Sequence, residues 1–167
     1  KSNLKALDYF IRGSLDYLSG WPCQSINYIE SHDDRCWIDK ITENENYQGE
    51  DPTENDIQRT HIAASLLLCS LGTPMISQGL DFLKSKKGKS NTYQNPELNY
   101  LDYNKIKDNL DTHYYFKNWI KFRNSKWGEL LRLDKIPDDE YIKIFPSIDN
   151  KKSSAAIMFN ANNSLSK

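Results

Sequence analysis

The chain opens with apolar residues at helical spacing, and shorter apolar runs alternate with polar stretches further along. Five apolar residues recur near the start at steps of three and four: Leu4, Leu7, Ile11, Leu15 and Leu18. This spacing predicts an amphipathic helix across roughly the first eighteen residues, ended near Gly20. Residues 56–71 are apolar on most sides and predict a buried helix that ends at Gly72. A third helical pattern begins near Tyr115 and runs to about Ser125.

Two β-prone segments, residues 25–31 and 74–77, lie between these helices. Because strands that alternate with helices pair in parallel, this order predicts an α/β fold with a parallel sheet. After Pro137 the pattern changes, since residues 141–145 and 155–160 are short β-runs on either side of a turn-like segment, residues 149–152. That pattern predicts an antiparallel hairpin.

Two long polar segments separate these elements. Residues 39–56 predict a surface loop, in which Thr53 and Asp56 have the spacing of a capping box for the next helix. Residues 79–111 predict mainly loop with one helical turn. Four lysines in this second segment predict a solvated loop: Lys84, Lys86, Lys87 and Lys89. The Gly-Lys-Ser at residues 88–90 lacks the earlier glycine and the strand-to-helix setting of a phosphate-binding loop.

The composition of the chain argues against several classes of binding partner. The 167 residues are enough for one domain with a core, and a net charge of -1 gives no electrostatic case for binding nucleic acid or an anionic membrane. The apolar run at residues 66–69 is far too short to cross a bilayer. Three cysteines without metal-ligand spacing predict reduced or buried thiols: Cys23, Cys36 and Cys69. We expect neither a metal nor a cofactor.

The first β-prone run ends in His32-Asp33-Asp34, where a strand gives way to a loop. Polar side chains at such a position are held by the strand and open to solvent, which favours chemistry or binding. The alternative for Asp33 and Asp34 is that they are solvated turn residues. His-Asp is also the doublet of metal-dependent phosphohydrolases, but these need a further histidine upstream, and no histidine precedes His32.

Two blocks of sequence together resemble one family. Residues 27–33 read N-Y-I-E-S-H-D, and residues 72–82 read G-T-P-M-I-S-Q-G-L-D-F before a lysine-rich turn leads to Tyr93. In order and wording these blocks resemble the α-amylase superfamily of glycoside hydrolases (glycoside hydrolase family 13). Within it they are similar to the pullulanase and isoamylase branch, which acts on α-glucans.

The resemblance implies the C-terminal portion of a (β/α)8 TIM barrel, followed by the start of a small antiparallel β domain. Residues 1–136 would run from the sixth to the eighth barrel helix, and residues 137–167 would begin the β domain. In this superfamily the nucleophile and the acid/base lie on strands four and five. The rest of the barrel, N-terminal to Lys1, would therefore be an obligatory partner, and we expect the chain alone to be inactive.

The resemblance also assigns site residues. Asp33 corresponds to the third catalytic carboxylate, which hydrogen-bonds sugar hydroxyls and stabilises the charged transition state. His32, Asp34 and Tyr93 would bind substrate. The family usually has Asn at the position of Asp34; it also has Glu in place of Asp81.

The implied function is a part of a retaining glycoside hydrolase that acts on α-glucans, cleaving α-1,6 branch links. Two alternatives stay open within the same superfamily. One is a non-catalytic glucan-binding or structural remnant. The other is an amylase that acts on α-1,4 links.

Overall fold

The computed structural model describes residues 2–14, 19–147 and 154–165, and it mixes helices with few strands. Its α-helices, in chain order, are α1 (Ser2–Ile11), α2 (Trp37–Ile41), α3 (Glu54–Cys69), α4 (Pro96–Asn99), α5 (Lys105–Asp108) and α6 (Leu110–Asn124). Its strands are β1 (Ile26–Asn27), β2 (Thr73–Pro74), β3 (Ile142–Pro146) and β4 (Ala155–Phe159). Short 3-10 helices cover Pro22–Gln24, Leu80–Phe82, Thr92–Gln94, Trp127–Leu131 and Asp139–Tyr141. No helix of the described ranges is long and apolar enough to cross a membrane.

Contacts along the chain define two compact units. The first unit comprises Lys1–Asn27, Cys69–Pro74 and Arg123–Lys167, and the second comprises Tyr28–Leu68 and Met75–Phe122. Each unit is described by itself below.

In the first unit β1 and β2 pair in parallel, with Ile26 opposite Thr73 and Asn27 opposite Pro74. The predicted parallel pairing of these two segments is therefore confirmed. The strands are shorter than predicted, because Pro74 has no N–H with which to extend the ladder. Asn27 is buried, and its side-chain amide donates to the carbonyl of Leu71 at 2.6 Å.

The chain leaves α3 through Gly72, as its sequence predicted. Gly72 has a φ of +94°, and a Cβ there would collide with Ser25 Oγ, so a larger residue does not fit. The guanidinium of Arg123, itself buried, donates to the carbonyls of Ser70 and Gly72. These hydrogen bonds satisfy carbonyl groups in the turn that follows the helix, which ends at Cys69.

The first helix ends earlier than predicted, at Ile11. The positive φ values of Gly13 (+81°) and Ser14 (+56°) are incompatible with a continuing helix. Leu15 and Leu18, which the apolar spacing included, lie outside the described residues.

The predicted hairpin is confirmed, since β3 and β4 pair antiparallel with Ile142 opposite Phe159 and Pro146 opposite Ala155. Tyr141, just before β3, is buried, and its hydroxyl donates to the carbonyl of Leu130 at 2.7 Å. The predicted turn at residues 149–152 lies outside the described residues.

The second unit has an apolar core that joins its helices to the segments after the two strands. The buried members are Ala64, Leu68, Leu80 and Phe116, with Ile29, Trp37, Ile76, Tyr115 and Trp119 packed against them. The predicted capping box at the start of α3 is confirmed. Thr53 Oγ1 accepts from the amide of Asp56 at 3.2 Å, and Asp56 Oδ2 accepts from the amide of Thr53 at 3.0 Å.

Two predicted loops contain more helix than their composition indicated. The segment predicted as a loop from residue 39 begins inside α2. Residues 79–111 hold two 3-10 helices, α4, α5 and the start of α6, rather than one helical turn. Pro96 occupies the first turn of α4, where its missing N–H costs nothing. Helices this short leave little periodic pattern for a sequence to reveal.

Candidate functional site

The second unit contains a cleft of about 360 Å³ where the two sequence blocks meet. Its walls are formed by Glu30, Ser31, His32, Cys36, Ser77, Gln78, Lys84, Lys86, Asn99 and Leu101. The first block supplies the residues up to His32, and the second supplies the stretch that begins at Ser77. Segments more than forty residues apart in sequence thus share one cavity, as a single site requires.

The His32-Asp33 pair stands at the mouth of this cleft with its side chains in solvent. The two side chains are 91% and 74% exposed, and His32 Nε2 lies 3.2 Å from Asp33 Oδ1. Asp34, the next residue, lies 3.3 Å from the ammonium of Lys40. The carboxylate of Asp33 therefore keeps most of its acceptor capacity for a molecule that arrives from outside.

The backbone beneath this pair is held by hydrogen bonds from the lysine-rich segment. Lys86 Nζ donates to the carbonyl of His32 at 2.9 Å, and the amide of Asn91 donates to the carbonyl of Asp33 at 2.8 Å. The prediction of a solvated lysine loop is wrong for Lys86, which is only 4% exposed. Lys84 Nζ also bonds protein rather than water alone, since it donates to the carbonyl of Asn99 at 3.0 Å.

Asp39, which the sequence placed in a polar surface loop, is a buried anchor. Its carboxylate is 1% exposed and accepts three hydrogen bonds within the second unit. Oδ1 accepts from the amide of Gly49 at 2.7 Å and from Ser85 Oγ at 2.6 Å, and Oδ2 accepts from the amide of Lys86 at 2.8 Å. One carboxylate thus joins α2, the following loop and the lysine-rich segment. No local pattern signals this role, because all three donors lie at least ten residues away in sequence.

Glu30 is a second buried carboxyl group, and it lies in the cleft wall. It is 3% exposed and accepts from the amide of Trp37 and from the side chain of Ser77. Burial raises the pKa of Glu30, and the hydrogen bonds and the nearby charges of Lys40 and Lys86 oppose that rise without cancelling it.

Tyr93 is 80% exposed, and its hydroxyl accepts from Gln94 Nε2 at 3.3 Å. Within the described residues, Tyr93, Asp33 and Asp34 are not part of the cleft wall itself. Tyr103 comes closer, since its hydroxyl accepts from the cleft residue Gln78 at 3.1 Å. The assignments of Asp33, His32, Asp34 and Tyr93 to sugar binding stay predictions.

The other two histidines, His61 and His113, pack and hydrogen-bond within the protein. His61 stacks on Tyr115 with ring centroids 4.3 Å apart, and its Nε2 lies 3.0 Å from Thr112 Oγ1. His113 Nδ1 lies 2.7 Å from a carboxylate oxygen of Asp81, the position where the family usually has Glu. No group of three or more His, Cys, Asp or Glu that could hold a metal occurs in the part of the chain that the structure describes.

The three cysteines are free thiols, as the sequence predicted. Burial raises the pKa of Cys36 to about 12 and that of Cys69 to about 11. Because the thiolate is the nucleophile, these two groups are unreactive at neutral pH. Cys36 in the cleft wall is therefore a packing residue.

Comparison with known proteins points to one family. A curated pullulanase of Bacillus subtilis (strain 168) is 32% identical over 120 residues, which are 64% of this chain and 16% of that protein. The solved pullulanase from Bacillus acidopullulyticus has a TM-score of 0.71 at 26% identity, covering 86% of this chain and 17% of that one. A pullulanase from Anoxybacillus sp. LM18-11, solved in complex with maltotetraose, also has a TM-score of 0.71 at 26% identity. That match covers 87% of this chain and 21% of the other.

No protein-family model matches the chain. The chain spans 16% to 21% of the length of these relatives, so the correspondence is to one part of a much longer protein. The sequence comparison and the structural comparison both find pullulanases, and both matches cover most of this chain. The chain is therefore similar to one part of the pullulanases, which confirms the resemblance seen in its sequence.

Proposed function

We propose that this chain is part of a retaining glycoside hydrolase that acts on α-glucans and cleaves α-1,6 branch links. The observation that carries the proposal is the meeting of its two pullulanase-like blocks at one cleft, with His32 in the wall and Asp33 beside it. The relatives are named pullulanases, and one of them was solved with maltotetraose bound, which supports an α-glucan oligosaccharide as the ligand class.

In this proposal Asp33 supplies a charge that the transition state needs. An exposed carboxylate on an anchored turn accepts hydrogen bonds from sugar hydroxyls, and those bonds strengthen as positive charge builds on the sugar ring. His32, 3.2 Å away, donates to the same sugar. Asp34 lies beside Lys40, and Tyr93 offers an exposed ring on which a sugar could stack.

The proposed architecture is the C-terminal portion of a (β/α)8 barrel over residues 1–136, with a small antiparallel β domain beginning at residues 137–167. Two features support it: the parallel pairing of β1 with β2, which α3 separates in sequence, and the antiparallel pairing of β3 with β4. A retaining mechanism needs two carboxyl groups about 5 Å apart as nucleophile and acid/base. In the proposal, the rest of the barrel, N-terminal to Lys1, supplies both.

The experiment compares the full-length protein that carries this chain with the 167-residue chain alone, using pullulan and amylose as substrates. We expect the full-length protein to release reducing ends from pullulan and the isolated chain to release none above a mock preparation. Turnover by the isolated chain would contradict the division of catalytic groups. Cleavage of amylose but not pullulan by the full-length protein would favour an α-1,4-acting amylase, and glucan binding without cleavage would favour the non-catalytic remnant.

A further inference from the structure

Among the residues that the structure describes, no carboxylate lies at ion-pair distance from the buried cation Lys86. This lysine is 4% exposed, and its ammonium donates a hydrogen bond to the carbonyl of His32 at 2.9 Å. None of the ion pairs recorded between described residues includes Lys86, although lysines 40 and 87 both take part in one. Burying an ammonium costs free energy, and here the compensation comes from the carbonyl of His32 and, at longer range, from the carboxyl group of Glu30.

The backbone of Lys86 is also held in place by hydrogen bonds. The amide of the same residue donates to Asp39, whose carboxylate is buried and also accepts from Ser85 and Gly49. The backbone of Lys86 is thus held where its side chain reaches the carbonyl of His32. A second bond, from the amide of Asn91, holds the carbonyl of Asp33.

These two bonds define the position of the His32-Asp33 pair. The side chains of the pair extend into solvent, and His32 Nε2 lies 3.2 Å from Asp33 Oδ1. Because no packing fixes such exposed side chains, their placement depends on the peptide groups beneath them. Those peptide groups depend in turn on Lys86 and Asn91.

We propose that Lys86 is a positioning residue, whose ammonium fixes the His32-Asp33 turn so that Asp33 meets the sugar in its reactive geometry. The inference rests on the proposed function, since it names what holds that site in place. It reassigns the lysine-rich segment from a solvated loop to the support of the site. Lys86 touches no reacting atom in this proposal and acts only through the turn.

The first test is steady-state kinetics on pullulan with the full-length protein, comparing Lys86→Met with Lys89→Met. Methionine keeps most of the length of the side chain but removes the charge and the donors. Since a misplacement of about 1 Å can cost on the order of 10² in rate, we expect kcat of Lys86→Met to fall by about that factor. We expect KM to change little, because the bonds to Asp33 matter most in the transition state. Lys89 is exposed on the same segment, and its variant should match the wild type.

The second test is a double-mutant cycle with Asp33→Asn, which separates positioning from general destabilisation. If Lys86 acts through the turn, Lys86→Met should cost much less once Asp33 is neutral, because only the contribution of His32 is then left to lose. If it only weakens the fold, its effect on activity should repeat in full in the Asp33→Asn background. Should Lys86→Met give no soluble protein, Lys86→Gln takes its place in both tests, since it keeps an N–H donor without the charge.

The outcomes separate the two proposals. A wild-type protein without activity on pullulan or amylose overturns the proposed function and, with it, the positioning role. An active wild type whose Lys86→Met variant matches Lys89→Met, or whose cycle is additive, overturns the positioning role alone. A large loss in kcat with a non-additive cycle supports it.

Discussion

Asp33 and Asp39 lie six residues apart in the second unit and occupy opposite environments. The side chain of Asp33 is 74% exposed and lies beside that of His32. Asp39 is 1% exposed and accepts hydrogen bonds from three segments of chain. The residue type is the same, but the acceptor sites of Asp39 are occupied by protein, whereas those of Asp33 remain open to a ligand.

The difference separates a carboxylate that stabilises the fold from one that is free to bind a ligand. A carboxylate that is buried and fully hydrogen-bonded stabilises the fold, and removing its partners leaves polar groups without water. A carboxylate in solvent adds little to stability, and its value lies in what it can bind. The turn that carries Asp33 is held in place through Asp39 and Lys86, so the two carboxylates act at the two ends of one network.

The comparison predicts its largest effect for Asp33. In the full-length protein Asp33→Asn keeps the shape of the side chain but removes the charge that, in the proposed function, stabilises the transition state. We expect kcat on pullulan to fall by at least ~10³, about 4 kcal/mol at 1.36 kcal/mol per tenfold. The melting temperature should barely move, because the side chain is exposed.

Asp34→Asn is the matched control, since it makes the same chemical change at the neighbouring position and restores the residue usual in the family. It should cost far less activity than Asp33→Asn. A fall in kcat of less than tenfold for Asp33→Asn would mean that Asp33 is a solvated turn residue. Asp33 and Asp39 would then differ in exposure but not in function.

The opposite pattern is expected for Asp39. Asp39→Asn places an amide donor against groups that already donate, so we expect the free energy of unfolding of the 167-residue chain to fall by about 2–4 kcal/mol. Urea denaturation followed by circular dichroism measures this change. Asp51→Asn, at an exposed position, should stay within about 0.5 kcal/mol of the wild type. Equal stabilities for the two variants would show that the Asp39 network contributes little.

Some of the residues in this comparison were predicted from the sequence, and others were missed. Asp33 and His32 were assigned to the site because the surrounding residues resemble a known motif, and that assignment stays a prediction. The parallel pairing, the hairpin and the capping box, which the structure confirms, followed from periodicity and spacing. Asp39 was missed because its three donors are brought to it only by the fold. Lys86 was misjudged for a similar reason, since a lysine in a polar run ordinarily lies in solvent. Local pattern thus led to the exposed residues of the proposed site, whereas the buried residues beneath them depend on contacts between distant segments.

Glu30 tests the comparison from a third position, since it is buried like Asp39 but lines the cleft beside His32. Its pKa is raised above the ordinary value of 4.5, chiefly by burial. The folded chain therefore holds this proton more tightly than the unfolded chain. The stability due to that proton is fully present below pH 4.5 and is lost as the pH rises through the raised pKa.

Glu30→Gln cannot ionise and should escape this loss. We expect the free energy of unfolding of the variant, relative to the wild type, to increase from about pH 4 to about pH 7. Denaturant titrations of the 167-residue chain at several pH values measure it, and the change should be smaller than that of Asp39→Asn. Glu45→Gln, at an exposed position, should give a flat difference across the same range. If Glu30→Gln is equally flat, or becomes less favourable as the pH rises, then the hydrogen bonds from Trp37 and Ser77 outweigh burial. Glu30 would in that case be an ionised anchor like Asp39.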